Sequence, residues 1–147
     1  MRVAVIQQTN TADLQANLDH SLAKVREAAA QGAELVLLQE LHRSLYFCQT
    51  EDTSVFDLAE SIPGPSTETL GALAKELGIV IVGSLFEKRA TGLYHNTAVV
   101  LDKDGTAVSK ARVTANGQYL GTSSQTGQLI VDGLSPGSVE LVIESPV

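Results

Sequence analysis

Glu40 is the side chain whose type and setting point most directly to chemistry. It closes a run that begins Leu35-Val36-Leu37-Leu38. A Leu- and Val-rich strand that ends in a carboxylate delivers that carboxylate to the carboxyl edge of a sheet, where ligand sites of open α/β sheets collect. A half-buried Glu in such a place takes a raised pKa and serves as a general base near neutral pH. The position equally suits a solvated acid or a helix-capping group, and these residues alone leave both readings open.

The other reactive side chains are scattered. His20, His42 and His95 lack metal-ligand spacing. His20 falls away from its helix's apolar face, His95 opens a strand beside Asn96, and His42, two residues from Glu40, either lines a pocket or belongs to the loop. Cys48 is the single cysteine, so no internal disulfide forms. With Phe47 beside it and only Arg43 near in sequence, it suits a pocket-lining or structural role better than a nucleophilic one. Gly83 and Gly92 form no phosphate-loop signature, and nothing calls for a cofactor or metal.

The elements that must carry Glu40 follow from periodicity. Residues 2–7 form a short apolar strand of the kind buried on both faces. Asn10-Thr11 offers an N-cap, Asp13 lies in the first turn, and Leu14, Leu18, Leu22, Val25 and Ala29 recur at helical spacing up to Gly32. Residues 35–38 are a second buried strand. This β-α-β order predicts a parallel pair with a right-handed crossover. Residues 41–62 lack a period and form a long loop with one turn of helix. Pro63-Gly64-Pro65 then leads into a helix with the face Leu70, Leu73, Ala74 and Leu77, stopped by Gly78. Residues 79–82 and 96–101 are further strands, separated by a polar turn at 87–94, and Asp102-Lys103-Asp104-Gly105 carries a tight-turn signal. Beyond Arg112 there is no Lys or Arg, and glycines at 117, 121, 127, 133 and 137 separate short runs, the pattern of small antiparallel strands.

Composition narrows the partners. Hydrophobic residues make up 44% of 147, enough for one modest domain or two small ones. Aromatics at 4%, with no Trp, leave no stacking platform for nucleic acid. A net charge of −7 opposes binding to phosphate backbones and anionic membranes and leans toward a cationic substrate such as a polyamine. The apolar stretch 3–6 is too short for a signal peptide or a membrane span, so the expected location is the cytoplasm.

Four stretches carry a family resemblance: Met1-Arg2-Val3-Ala4-Val5-Ile6-Gln7, Leu35-Val36-Leu37-Leu38-Gln39-Glu40-Leu41, Ile62-Pro63-Gly64-Pro65 and Tyr94-His95-Asn96-Thr97-Ala98-Val99-Val100. In this order over residues 1–105 they resemble the carbon–nitrogen hydrolases of the nitrilase superfamily, and within it the N-carbamoylputrescine amidase group. The resemblance implies an α/β fold, here a partial αββα sandwich (β-α-β-α-β-β), and hydrolysis of a small amide or carbamoyl substrate. It also implies a Glu-Lys-Cys triad with Glu40 as general base. The loop 41–49 matches the segment that shapes the substrate pocket, with Tyr46 as the substrate-binding choice. The family's Lys-Tyr-Arg-Lys-x-His run corresponds to Lys110-Ala111-Arg112-Val113-Thr114-Ala115. Lys110 and Arg112 are in register, whereas Val113 stands at the catalytic lysine and Ala115 at the histidine. Lys110 replaces that lysine only through a three-residue slip, which reverses the strand face.

Residues from about 97 to 147 also resemble carboxypeptidase regulatory-like modules and usher C-terminal β modules, through 104–113, the Asp-Gly-Leu-x-Pro-Gly turn at 132–137 and the strand 139–143. The expected division is therefore an N-terminal hydrolase half, residues 1–105, and a β-rich tail, 106–147. Two functions follow: a truncated or chimeric hydrolase, inactive alone, or a non-catalytic scaffold whose tail engages a partner. Open sheet edges and faces on half a sandwich point to a homo-oligomer.

Overall fold

The computed structural model describes residues 1–49, 51–125 and 141–144. The chain forms two compact units, Met1–Thr106 and Ala107–Val147. In the first, strands β1 (Val3–Val5), β2 (Leu35–Leu37), β3 (Val80–Ala90) and β4 (Leu93–Leu101) make one sheet in the order β1-β2-β3-β4. Helix α1 (Leu14–Ala30) links β1 to β2, and α2 (Pro65–Leu77) leads into β3. β1, β2 and β3 run parallel and β4 antiparallel. This is a mixed α/β fold with the expected β-α-β-α-β-β order.

Period-two alternation divides the sheet's residues between its faces. Val36, Ile81, Leu85, Val99 and Leu101 are buried with Leu18 and Val25 of α1 and Leu70, Leu73 and Ala74 of α2. On the opposite face Val3, Val5 and Leu37 remain exposed.

Local chemistry sets the helix ends, with one correction. The N-cap of α1 is Asp13 rather than Asn10-Thr11: its carboxylate accepts from Gln15 N and Ala16 N, each at 3.0 Å. Asn10 and Thr11 are drawn off, the first to the Ser44 carbonyl and the second to Asn17. Gly32 ends the helix at φ 86°, with Gly32 N on Ala29 O and Ala33 N on Ala28 O, a Schellman arrangement. The inward face of α1 also departs from a purely apolar stripe, because Asn17 and Ser21 are buried. Both are hydrogen-bonded: Asn17 Nδ2 donates to the carbonyls of Thr11 and Arg43, and Ser21 Oγ to that of Asn17. Asn17 thereby ties α1 to the loop behind Glu40.

The polar turn expected at 87–94 is smaller than its composition suggests. β3 continues to Ala90 and the reversal takes only Thr91-Gly92. Glu87, buried in that extension, accepts from Thr97 Oγ1 and pairs with Arg89 at 3.0 Å, so its charge is met locally. The tight turn after β4 does form, closed by Gly105 N on Asp102 O at 2.8 Å.

In the second unit β5 (Arg112–Ala115) is central to a three-stranded antiparallel sheet with β6 (Gln118–Thr122) and β7 (Leu141–Glu144). The expected turn around residues 127–137 lies outside the described residues.

Gly71 of α2 supplies a sharp test of packing. A Cβ there would sit 2.5 Å from the Gly105 carbonyl oxygen, a backbone atom that cannot swing aside. Helix propensity alone favours Gly71→Ala by about 1 kcal/mol, whereas overpacking costs about 1–3 kcal/mol. The clash wins: Gly71→Ala lowers the unfolding free energy by about 1 kcal/mol or more in urea melts.

Candidate active site

The site lies where the neighbour of β3 changes. β2 pairs with β3 as far as Val82, and Leu38 N still donates to the Val82 carbonyl. Farther along, Glu60 takes over, its N donating to the Phe86 carbonyl and its carbonyl accepting from Lys88 N. Between these two partners Ser84 faces a gap, and the chain leaving Glu40 fills it. Leu41 N donates to Ser84 Oγ at 3.1 Å, and His42 Nδ1 donates to the Ser84 carbonyl at 3.2 Å. Leu41 sits in the left-handed region at φ 48°, uncommon for a bulky residue, held there by its burial and by this contact.

This turn throws Glu40 outward. Its side chain is exposed rather than half-buried, because it projects from the uncovered side of the sheet. Asn96 of β4 donates Nδ2 to Glu40 Oε1 and accepts from Ser84 Oγ through Oδ1 at 2.9 Å. The Ser84 contact orients the amide, so Asn96 offers a donor, which suits an ionised carboxylate. Among the described residues Asn96 is the one hydrogen-bond partner of Glu40 and is uncharged.

Tyr46 comes into the same neighbourhood. Its hydroxyl is hydrogen-bonded to Cys48, and that contact, followed by the negative charge of Glu40, raises its pKa above the ordinary phenol value. Cys48 is exposed and free of any disulfide. Beside Tyr46 lies a groove of about 370 Å³ walled by Leu14, Leu45, Phe47, Val55 and Leu58. Phe86 stacks with Phe47 (centroids 4.9 Å apart) and Tyr94 (5.7 Å), fixing the base of the loop. The structure thus brings Glu40, Tyr46 and Cys48 together.

The loop is pinned at a second point. Arg43 Nη1 donates to Glu60 Oε1 at 3.1 Å and to Ser66 Oγ at 2.8 Å, while Ser66 N donates to Glu60 Oε2 at 2.9 Å. The cation nearest Glu40 in sequence is therefore engaged elsewhere.

Ser84 and Asn96 are the site residues that sequence reasoning missed in these roles. Ser84 left a signal, as a polar residue inside an otherwise apolar strand. His42 does not line a pocket: it is buried against Gly83 on the helix side. His20 is exposed on α1. In the second unit Arg112 pairs with Glu144 at 3.0 Å and lies 5.2 Å from the Tyr119 ring centroid. Val113 and Ala115 are buried strand residues.

The carbon–nitrogen hydrolase family model matches residues 2–122, most of the chain. The protein belongs to that family, within the nitrilase superfamily. It is 39% identical to N-carbamoylputrescine amidase of Solanum lycopersicum over 105 residues, 71% of this chain and 35% of that one. It is 35% identical to omega-amidase NIT2 of Xenopus tropicalis over 88% of this chain and 45% of that one. A carbon–nitrogen hydrolase crystal structure from Helicobacter pylori G27 superposes with a TM-score of 0.67 at 39% identity, covering 71% of this chain and 37% of that chain. An amidase from Nesterenkonia sp. gives 0.57 at 28%, over 74% and 41%. A variant of the Nesterenkonia amidase carries the acetamide moiety of fluoroacetamide on its active-site cysteine. The chain spans about a third to a half of the length of these relatives. The family match continues past residue 105 through β5 and β6. No helix among the described residues is long and apolar enough to cross a membrane.

Burial of His42 gives the unit a pH dependence. Desolvation, opposed by the Ser84 bond, lowers its pKa from 6.5 to about 4. The unfolded chain therefore binds the proton more readily than the fold does, and stability falls as pH drops from 6.5 toward 4. The carboxylates whose pKa is lowered, such as Glu27, Glu76 and Asp104, start from 4.5 or 3.8 and act below this window. Going from pH 7 to pH 5 therefore costs about 2 kcal/mol through His42. Urea melts of His42→Gln at the two pH values should show that difference removed.

Proposed function

We propose that this chain supplies the general-base part of a carbon–nitrogen hydrolase site for small amides or carbamoyl amines, N-carbamoylputrescine among them, and that it does not turn over substrate alone. The observation that carries this reading is the Glu40 carboxylate, exposed at the carboxyl end of β2 and steadied by Asn96 with Tyr46 beside it. Residues 1–105 are the N-terminal hydrolase half, and 106–147 are a β-rich tail with a structural role. A reducing cytoplasm, where the Cys48 thiol stays free, is the setting.

The chemistry runs through a thioester. Glu40 takes the proton of a cysteine thiol, and the thiolate attacks the carbonyl carbon. A lysine stabilises the tetrahedral oxyanion. The amine departs with the proton that Glu40 returns, and Glu40 then activates the water that releases the acyl or carbamoyl group. No cofactor enters. Tyr46 lies where it would contact the substrate chain along the groove. This chain has Val113 at the lysine position and no cysteine after Cys48, and a triad acts as a unit.

Two measurements check the reading. The purified chain should release no ammonia from N-carbamoylputrescine or simple amides above the buffer rate; turnover that Glu40→Gln abolishes would refute the claim of inactivity. Residues 1–105 grafted in place of the matching part of the Solanum lycopersicum amidase should give an active enzyme, which Glu40→Gln lowers by about 10²–10⁴-fold. An unchanged rate in that variant would remove Glu40 from the mechanism.

A further inference from the structure

The free edge of β1 is built for a partner. β1 pairs only with β2. The Arg2 carbonyl accepts from Glu34 N and Ile6 N donates to the Leu37 carbonyl, each at 2.8 Å. Residues 2, 4 and 6 thus turn their backbone groups toward β2, and by alternation Val3 and Val5 turn theirs outward. Those outward groups have no partner among the described residues, and the two side chains are 53% and 71% exposed. A groove of about 500 Å³ runs between this strand and α1, past Lys24, Glu27 and Gln31, so the helix leaves the edge uncovered.

We propose that β1 pairs antiparallel with β1 of a second copy of this chain, about a two-fold axis at Ala4. In an antiparallel ladder, opposed residues alternate between pairs that exchange both backbone bonds and pairs that exchange none. Centring on Ala4 opposes Val3 with Val5 of the second copy, and the reverse, so every outward group finds a mate. A one-residue slip opposes Val3 with Ala4, whose groups already face β2. Centring on Val3 leaves Val5 opposite Met1, outside the strand. The sequence is therefore complementary to itself in one register, an isologous contact that closes as a dimer.

Charge favours the same occupant. Arg2 and Lys24 are matched along this edge by Glu27 and Glu34, so two copies meet without the repulsion that a net charge of −7 brings elsewhere. The contact is small beside the ~800 Å² per partner of a standard interface, so the dimer is weak, with a dissociation constant on the order of 100 µM.

The two-fold places Ala4 opposite its symmetry mate with Cα atoms about 4.5 Å apart, within disulfide reach. In a Cys48→Ser background, Ala4→Cys should cross-link into a dimer under mild oxidation at least tenfold faster than Val3→Cys or Val5→Cys. Sedimentation should show a reversible monomer–dimer equilibrium. Val5→Pro removes an outward amide, a change that edge strands tolerate, and should weaken the dimer at least tenfold with an unchanged circular-dichroism melt. A monomer up to about 1 mM, or equal cross-linking at residues 3, 4 and 5, overturns the proposal. The cross-linking comparison decides the matter even if the proline variant unfolds.

Discussion

The sheet of the first unit is apolar on both faces, and helices cover only one. β1 reads Val-Ala-Val, β2 Leu-Val-Leu, and β3 opens Val-Ile-Val, so neither face offers water a polar surface. α1 and α2 take the side carrying Val36, Ile81, Leu85 and Val99. Each large side chain buried there contributes about 1.5–3 kcal/mol. The side left open carries Leu37, Val3 and Val5 together with Ser84 and Asn96, the residues that steady Glu40. Period two allows no third arrangement: a strand that gives Ile81 and Leu85 to the core must give Ser84 to the other face. Glu40 meets solvent because the core lies on the opposite side.

Positioning then depends on a vacancy in strand pairing. A parallel neighbour that ended at Leu38 with nothing after it would leave the Ser84 carbonyl buried and unbonded, at a cost of about 1–3 kcal/mol. His42 meets that carbonyl, and Leu41 N meets the hydroxyl of the same residue. The left-handed turn at Leu41 is what brings both groups into range, and it also swings Glu40 clear. Arg43, Glu60 and Ser66 fasten the far side of the loop to the start of α2. Glu40 is thus set by contacts made by its successors, not by its own packing.

Much of this was legible in the residues. Apolar runs marked the strands, Gly32 and Gly78 marked the helix ends, and the Leu-Val strand ending in Glu40 marked the carboxyl edge. Other features were hidden because they arise from pairing. Glu87-Lys88-Arg89 has the composition of a turn, yet Thr97 and Arg89 neutralise Glu87 and let β3 continue. Asn17 and Ser21 look like solvent-facing positions of α1, but their hydrogen bonds run to Thr11, Arg43 and the helix backbone, which permits burial. Asp13 took the cap because Asn10 and Thr11 had partners elsewhere. The exposure of Glu40 was invisible for the same reason: which face a helix covers is a property of the whole sheet.

The chemistry of a lone carboxylate can be bounded in magnitude. A well-placed general base contributes about 10²–10⁴ in rate, whereas enzymes accelerate their reactions by about 10⁶ or more. The difference must come from a nucleophile and from groups that stabilise an oxyanion. Asn96 supplies neither to a substrate, since its amide nitrogen is directed to Glu40 and its oxygen to Ser84. Arg43 has the required charge but gives it to Glu60. The Cys48 thiol bonds the Tyr46 hydroxyl, a neutral partner that raises no thiolate in the way a neighbouring cation does. What the fold preserves is therefore orientation: a carboxylate held at a sheet edge, beside an apolar groove, facing the side from which the missing cation and thiolate would have to come.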